Sequence, residues 1–240
     1  MGHSWPIASL WHAYLLFNEN NCVSFGTMTP RSDRELLESW RAGDRSSGSE
    51  LFERYYDVAA RFFANKVSSE HRQELIQRTF LACVEARDRF RGDSKFSTYL
   101  LGIALRQVYK HYDRKRRHAK HFDYQTVSVA ALDPSPSKII AAHDEQRLLL
   151  QALRSIPLDY QVILELVYWE GMTAAGAAEV LGLPLGTAKT RIRRGRQLIE
   201  RELAALESHA SLVESTITDL EAWAFGLRDA LTGGEPDTQP

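Results

Sequence analysis

The 240-residue chain has little of what covalent chemistry or a membrane requires. It has two cysteines, Cys22 and Cys83, too few for a disulfide framework or, alone, for a zinc site. A reducing cytoplasm is therefore the expected compartment. No apolar run reaches the roughly 18 residues that a membrane-spanning helix needs. No segment alternates strongly enough to predict a strand, and no internal repeat is visible. Carboxylates and histidines do not gather at spacings that would serve catalysis. His111, His118 and His121 lie close in sequence, but among cations that would repel a metal, so they read as phosphate-side or solvent residues. The expectation is a protein with no catalytic residue, no metal and no cofactor.

Net charge is also nearly absent, at −1, yet it is segregated along the chain. Arg106 to Lys120 carries a net +6 and Lys189 to Arg201 a net +5, while Glu202 to Pro240 carries −7. Salt screens charges beyond about 10 Å, so two local basic stripes can hold phosphate although the total is close to zero. Charge is scarce again at the start. Residues 1–27 contain a single charged side chain, Glu19, with Trp5, Trp11, Tyr14, Phe17 and Phe25. They lack the basic start of a signal peptide and read as an extension, with Met28 as an alternative translation start.

What is present is helical periodicity. Apolar residues fall three and four apart through Leu36, Leu37 and Trp40, and again through Leu51, Phe52, Tyr55, Tyr56, Phe62 and Phe63. A third run holds Leu75, Ile76, Phe80, Cys83 and Val84, and a fourth runs from Phe96 into the first basic stripe. Asp33 is expected to cap the first helix and Gly43 to end it. Periodicity lapses over 118–138, where Asp133-Pro134-Ser135-Pro136 is turn-rich and extended. It returns with Leu148 to Ile156, ended by Pro157, then Val162 to Trp169, ended by Gly171. A last helix is expected at about 211–231. The fold predicted is all-α: two small helical domains joined by a flexible linker, plus an extra C-terminal helix. The boundaries are 1–27, 28–117, 118–138 (linker), 139–204 and 205–240 (acidic extension).

Two constellations point to nucleic acid. Thr173–Arg196, TAAGAAEVLGLPLGTAKTRIRRGR, has the order helix, glycine turn, helix of a helix-turn-helix. Thr173 is a good cap, Gly182 gives the turn its freedom, and Pro184 suits the start of the next helix. On that helix Leu185, Ala188, Ile192 and Ile199 are expected inside, with Thr187, Lys189, Thr190, Arg191, Arg193 and Arg194 outside, where cations and hydroxyls reach base edges or phosphates. The second constellation, Phe96–Lys120, mixes Phe96, Tyr99, Tyr109 and Tyr112 with cations. Aromatic faces stack on unpaired bases while cations track the backbone, although Phe96 reads equally well as core. Arg106, Lys110, Arg114, Lys115, Arg116 and Arg117 are the candidate phosphate contacts.

These constellations, in this order, resemble the extracytoplasmic-function group of the sigma-70 family. Three segments carry the resemblance: EHRQELIQRTFLACVEARDRF (Glu70–Phe90), FRGDSKFSTYLLGIA (Phe90–Ala104) and LGLPLGTAKTRIRRGR (Leu181–Arg196). The resemblance implies a first domain that binds the clamp of the core RNA polymerase and melts the minus-ten element. It implies a second that contacts the polymerase flap and reads the minus-thirty-five element. It assigns polymerase contact to Glu74, Leu75, Gln77 and Phe80, promoter melting to Phe96, Thr98 and Tyr99, and duplex reading to Lys189, Thr190, Arg193 and Arg194. It also implies an anti-sigma factor as a partner. The chain departs from the family pattern at Arg78, at Tyr99 where a Trp is usual, at Leu105-Arg106, and at Gly176-Ala177. A helix-turn-helix regulator acting without polymerase would explain residues 173–199 but not 70–117. The acidic extension reads either as a mask over basic surface or as a plain surface helix.

Overall fold

In the computed structural model, residues 31–90, 92, 94–115, 123–133 and 144–206 are described. The chain parts into a short unit, Met1–Ser32, and a main unit that begins at Asp33 and holds every helix named below. The extension 1–27, Met28, the helix expected at 211–231 and most of the acidic segment lie outside the described residues.

The first half of the main unit is built from α1 (Asp33–Arg41), α2 (Arg45–Ala64), α3 (Ser69–Glu85) and α4 (Phe96–Lys115), with a 3₁₀ turn at Arg87–Arg89. Helix α1 buries the expected stripe, Leu36, Leu37 and Trp40. Asp33 is its first helical residue rather than its cap, and its carboxylate accepts from Arg54 at 2.6 Å and from the Tyr55 hydroxyl. Trp40 lies flat on Gly48 of α2: a Cβ there would sit 2.6 Å from the indole nitrogen, so any side chain would push α1 off α2. Helix α2 is capped by Asp44, whose carboxylate accepts from the Ser46 backbone N–H and the hydroxyls of Ser46 and Ser47. Those hydrogen bonds hold the carboxyl down at about 2.

The second half holds α6 (Asp144–Ser155), α7 (Leu158–Tyr168), α8 (Ala174–Leu181) and α9 (Leu185–Leu206). Between the halves, the described part of the connector forms a turn at Tyr124–Thr126 and a single helical turn, α5 (Val129–Leu132). It is docked. The carbonyls of Val127 and Tyr124 accept from the N–H groups of Leu158 and Asp159, which satisfies donors at the start of α7 that have no partner within the helix. Tyr124 also stacks on Tyr109 of α4, with ring centroids 4.4 Å apart.

The halves share one hydrophobic core, with α4 packed on α8, and beside it they meet through a set of buried polar pairs. Lys66, fully buried after the end of α2, donates to Glu165 of α7 and to the Phe62 carbonyl at 2.7 Å, and its ammonium lies 4.0 Å from the Phe62 ring centre. Arg61 pairs bidentately with Glu170 at 3.1 and 3.0 Å. The Asn65 carbonyl accepts from Arg154 at 3.3 Å and Gln161 at 3.2 Å. Burial alone pushes the Glu165 carboxyl up and the Lys66 ammonium down, and their mutual attraction opposes both shifts.

Candidate nucleic-acid and polymerase interface

The helix-turn-helix forms as its residues dictate. The Thr173 hydroxyl accepts from the Gly176 N–H at 3.1 Å and caps α8. Gly182 ends it at φ 64°, the left-handed conformation that glycine adopts without strain. The Leu183 N–H then reaches back to the Ala178 carbonyl at 2.8 Å. Pro184 stands just before α9, and its carbonyl accepts from the Ala188 N–H at 3.0 Å. Ala177, Ala178, Ala188 and Ile199 are buried, so the small side chains let α8 and α9 cross closely.

Along α9, Thr187, Lys189, Thr190, Arg193 and Arg194 are all exposed. A cleft of about 270 Å³ opens beside its first turns, lined by Gly186, Thr187, Thr190 and Arg194 of α9 with Tyr160 and Gln125. Two expectations need correction. Leu185, read as inward, is 45% exposed, because it is the first helical residue and lies beyond the edge of the helix contact. Arg191, read as outward, is only 7% exposed. It donates to Asp159 of α7 at 2.9 Å and stacks 5.8 Å from the Tyr160 ring centre. The same carboxylate accepts from the Tyr109 hydroxyl of α4 at 2.7 Å. Arg191 therefore anchors α9 and leaves the other cations to face outward.

On α4, Arg106, Lys110 and Arg114 are exposed at intervals of four residues, which puts them on one face, and Lys115 follows. Arg116 and Arg117 lie outside the described residues, as do His118 and His121. Phe96 lies where its core reading put it. Phe96 and Thr98 are 3% and 6% exposed and belong to the core, so in this conformation neither presents a surface to a base. Their apolar surface serves packing: Phe96 contacts Tyr55 at 5.2 Å and Phe90 at 6.1 Å between ring centres. Tyr99 is half-buried, stacked on Phe90 at 4.4 Å, with its hydroxyl donating to the Ala86 carbonyl. Tyr112 is buried and donates to the Lys66 carbonyl.

Among the residues assigned to polymerase contact, Glu74 and Gln77 are exposed on α3. Phe80 is half-buried between Phe52 and Tyr56. Leu75 is 1% exposed and is a core residue, because it occupies the inward row with Ile76, Thr79 and Cys83. Sequence reasoning missed Leu81 and Val84, which are 58% and 44% exposed. They continue the row of Glu74 and Gln77 at spacings of four and three, so α3 presents a mixed polar and apolar stripe. The signal lies in that spacing, but Val84 also continues the apolar run from Leu75, which masks it.

Among the described residues no group of histidine, cysteine and carboxylate side chains could hold a metal, and no helix is long and apolar enough to cross a membrane. Residues 51–118 match the family model described as Sigma-70 region 2, and residues 146–199 match Sigma-70, region 4; together the two span half of the chain. The chain is 24% identical over 183 residues to the ECF RNA polymerase sigma-E factor of Haemophilus influenzae, covering 73% of this chain and 97% of that one. The sigma-E factor of Escherichia coli is also 24% identical, with 73% and 96% covered. The fold is shared with two solved structures. One is CnrH in complex with the cytosolic domain of CnrY (TM-score 0.52, 22% identity, 72% of this chain and 97% of that one). The other is the sigma factor RpoE in complex with the anti-sigma factor NepR from Bartonella quintana (TM-score 0.50, 18% identity, 65% and 95%). With a region 2 match over the first half, a region 4 match over the helix-turn-helix and relatives spanned almost end to end, the chain belongs to the sigma-70 family as an extracytoplasmic-function RNA polymerase sigma factor.

Proposed function

We propose that the exposed face of α9 reads the minus-thirty-five element, with Lys189, Thr190, Arg193 and Arg194 on base edges and phosphates and Thr187 on the backbone. The observation that carries this reading is that these five side chains share the open face of a helix whose other side is anchored through Arg191. The row of Arg106, Lys110 and Arg114 on α4 holds phosphates near the minus-ten element. Tyr99 stands nearest the surface among the melting residues, while Phe96 and Thr98 fix the entry of α4 from within the core. The stripe Glu74, Gln77, Leu81 and Val84 docks on the polymerase clamp, and an anti-sigma factor competes for these same surfaces. The protein acts in the cytoplasm and catalyses no covalent step itself; the polymerase does the chemistry. Domain limits at 28–117 and 139–204, with 118–138 between them, match this division of labour.

Run-off transcription with purified core polymerase, followed by mapping of start sites, tests the reading. Initiation at discrete sites is the expected result. Its absence, or initiation that does not depend on Arg193 and Arg194, would refute it.

A further inference from the structure

Two features at the start of α9 answer to nothing inside the fold. Leu185 is 45% exposed, an apolar side chain left in water at the first helical residue. Gly186 follows it inside the helix, without a positive φ, and a Cβ there would meet nothing within 4 Å. Glycine weakens a helix relative to alanine, so neither packing nor turn geometry accounts for it. At 100° per residue Gly186 lies in line with Thr190 and Arg193, in the middle of the open face, and Leu185 stands one turn ahead of Lys189. The exposed side chains that follow on this face, Thr187, Lys189, Thr190, Arg193 and Arg194, include no acid.

We infer that Leu185 reads the 5-methyl group of a thymine in the major groove of the minus-thirty-five element, and that Gly186 leaves the room that lets it reach. This rests on the promoter reading proposed above. The first residues of a recognition helix are the ones that enter the groove. The thymine methyl is the apolar group that base pairs present there; the other edge groups are hydrogen-bond donors and acceptors, which a leucine cannot pair. The cations beside Leu185 select an anionic partner, whereas Leu81 and Val84 on α3 lie in a row with Glu74 and Gln77. A side chain on Gly186 would stand between α9 and the bases. Even the nearby Thr190 hydroxyl is turned back onto the helix, donating to the Gly186 carbonyl at 3.0 Å. Lys189, Arg193 and Arg194 suit phosphates and guanine, so Leu185 adds a preference for an A·T pair that the cations do not supply.

The test uses holoenzyme assembled from the full chain and core polymerase. Selection from duplexes randomised over the minus-thirty-five region should enrich thymine at one position for the wild type, and lose that preference alone for Leu185→Ala. In the selected duplex, replacing that thymine by uracil removes only the methyl group. The change should weaken wild-type binding about fourfold, as for one buried methylene, and leave Leu185→Ala unaffected. Leu185→Arg should move the preference at the same position to guanine. Gly186→Ala should resist urea at least as well as the wild type yet bind every duplex less tightly, a pairing of signs that misfolding cannot give. Equal wild-type binding of the thymine and uracil duplexes would overturn the inference. So would loss of core-polymerase binding in Leu185→Ala, which would make the polymerase the apolar partner. A selected element with no thymine that depends on Leu185 would overturn the inference and leave the promoter reading standing; no selected element at all would sink both.

Discussion

At the scale of single residues, the structure separates charges that face outward from charges that hold the protein together. Arg191 and Arg194 stand three apart on α9, yet one is buried against Asp159 and the other is exposed. His111 shows what burial does to a titrating group. Its Nε2 is buried without a partner, and its ring lies 4.8 Å from that of His71. Burial, with the charges of His71 and Lys115, pushes its pKa below the ordinary 6.5; Asp133 and Glu74 act weakly the other way. A base held neutral in the fold contributes full stability above its unfolded pKa and loses it as pH falls below that value. Unfolding by urea at pH 7.5 and 5.5 should show stability falling on acidification, and falling less in His111→Leu. Equal losses in the two proteins would show that another group carries the effect. None of this was legible in the sequence. Lys66, Arg61, Glu165 and Arg154 are of charged types that are mostly exposed in proteins, and their partners are 89 to 109 residues away. A local pattern cannot report a pairing made over that separation.

At the scale of elements, the sequence was a good guide wherever one face of a helix meets one core. The stripes of α1, α2 and α3 and the turn at Gly182 follow from spacing and from glycine conformation alone. What spacing misjudged was the edge of a stripe. Leu75 and Val84 were both placed on the apolar run of α3, yet the first is core and the second is exposed. A helix turns 100° per residue, so nine positions amount to two and a half turns and carry the run from one side to the other. Exposed leucine and valine beside glutamate and glutamine have the composition of a protein contact rather than a DNA contact. Leu81→Asp with Val84→Asp should weaken binding to core polymerase at least tenfold, measured by competition with another sigma factor, while leaving binding of the helix-turn-helix to a duplex unchanged. A loss of both would place the defect in folding instead.

At the scale of the whole molecule, the halves were legible and their closure was not. A single helical turn, α5, forms within the lapse in periodicity over 118–138, and the lapse does not say where the connector goes. Its described part faces both ways: the Tyr124 ring stacks on Tyr109 of the first half, and its carbonyl accepts from Asp159 of the second. That double attachment has a consequence for reach. Twenty-eight residues separate Lys115 from Asp144, enough to span about 95 Å when fully extended. If residues 123–133 stay with the second half, the first half is tethered by the seven residues 116–122 alone, and the slack falls to about 25 Å. Helix α5, which packs on α6 and buries Val129 completely, would then act as a length stop. Promoters with longer spacers between their elements should be used poorly by the wild type and better by Val129→Asp, which undocks α5 from the second half, in a run-off series where only the spacer is varied. A flat response across spacer lengths in both proteins would show that the connector pays out freely. The docking of α5 would thus fix a ruler, deciding which promoters the protein can straddle by distance as well as by sequence.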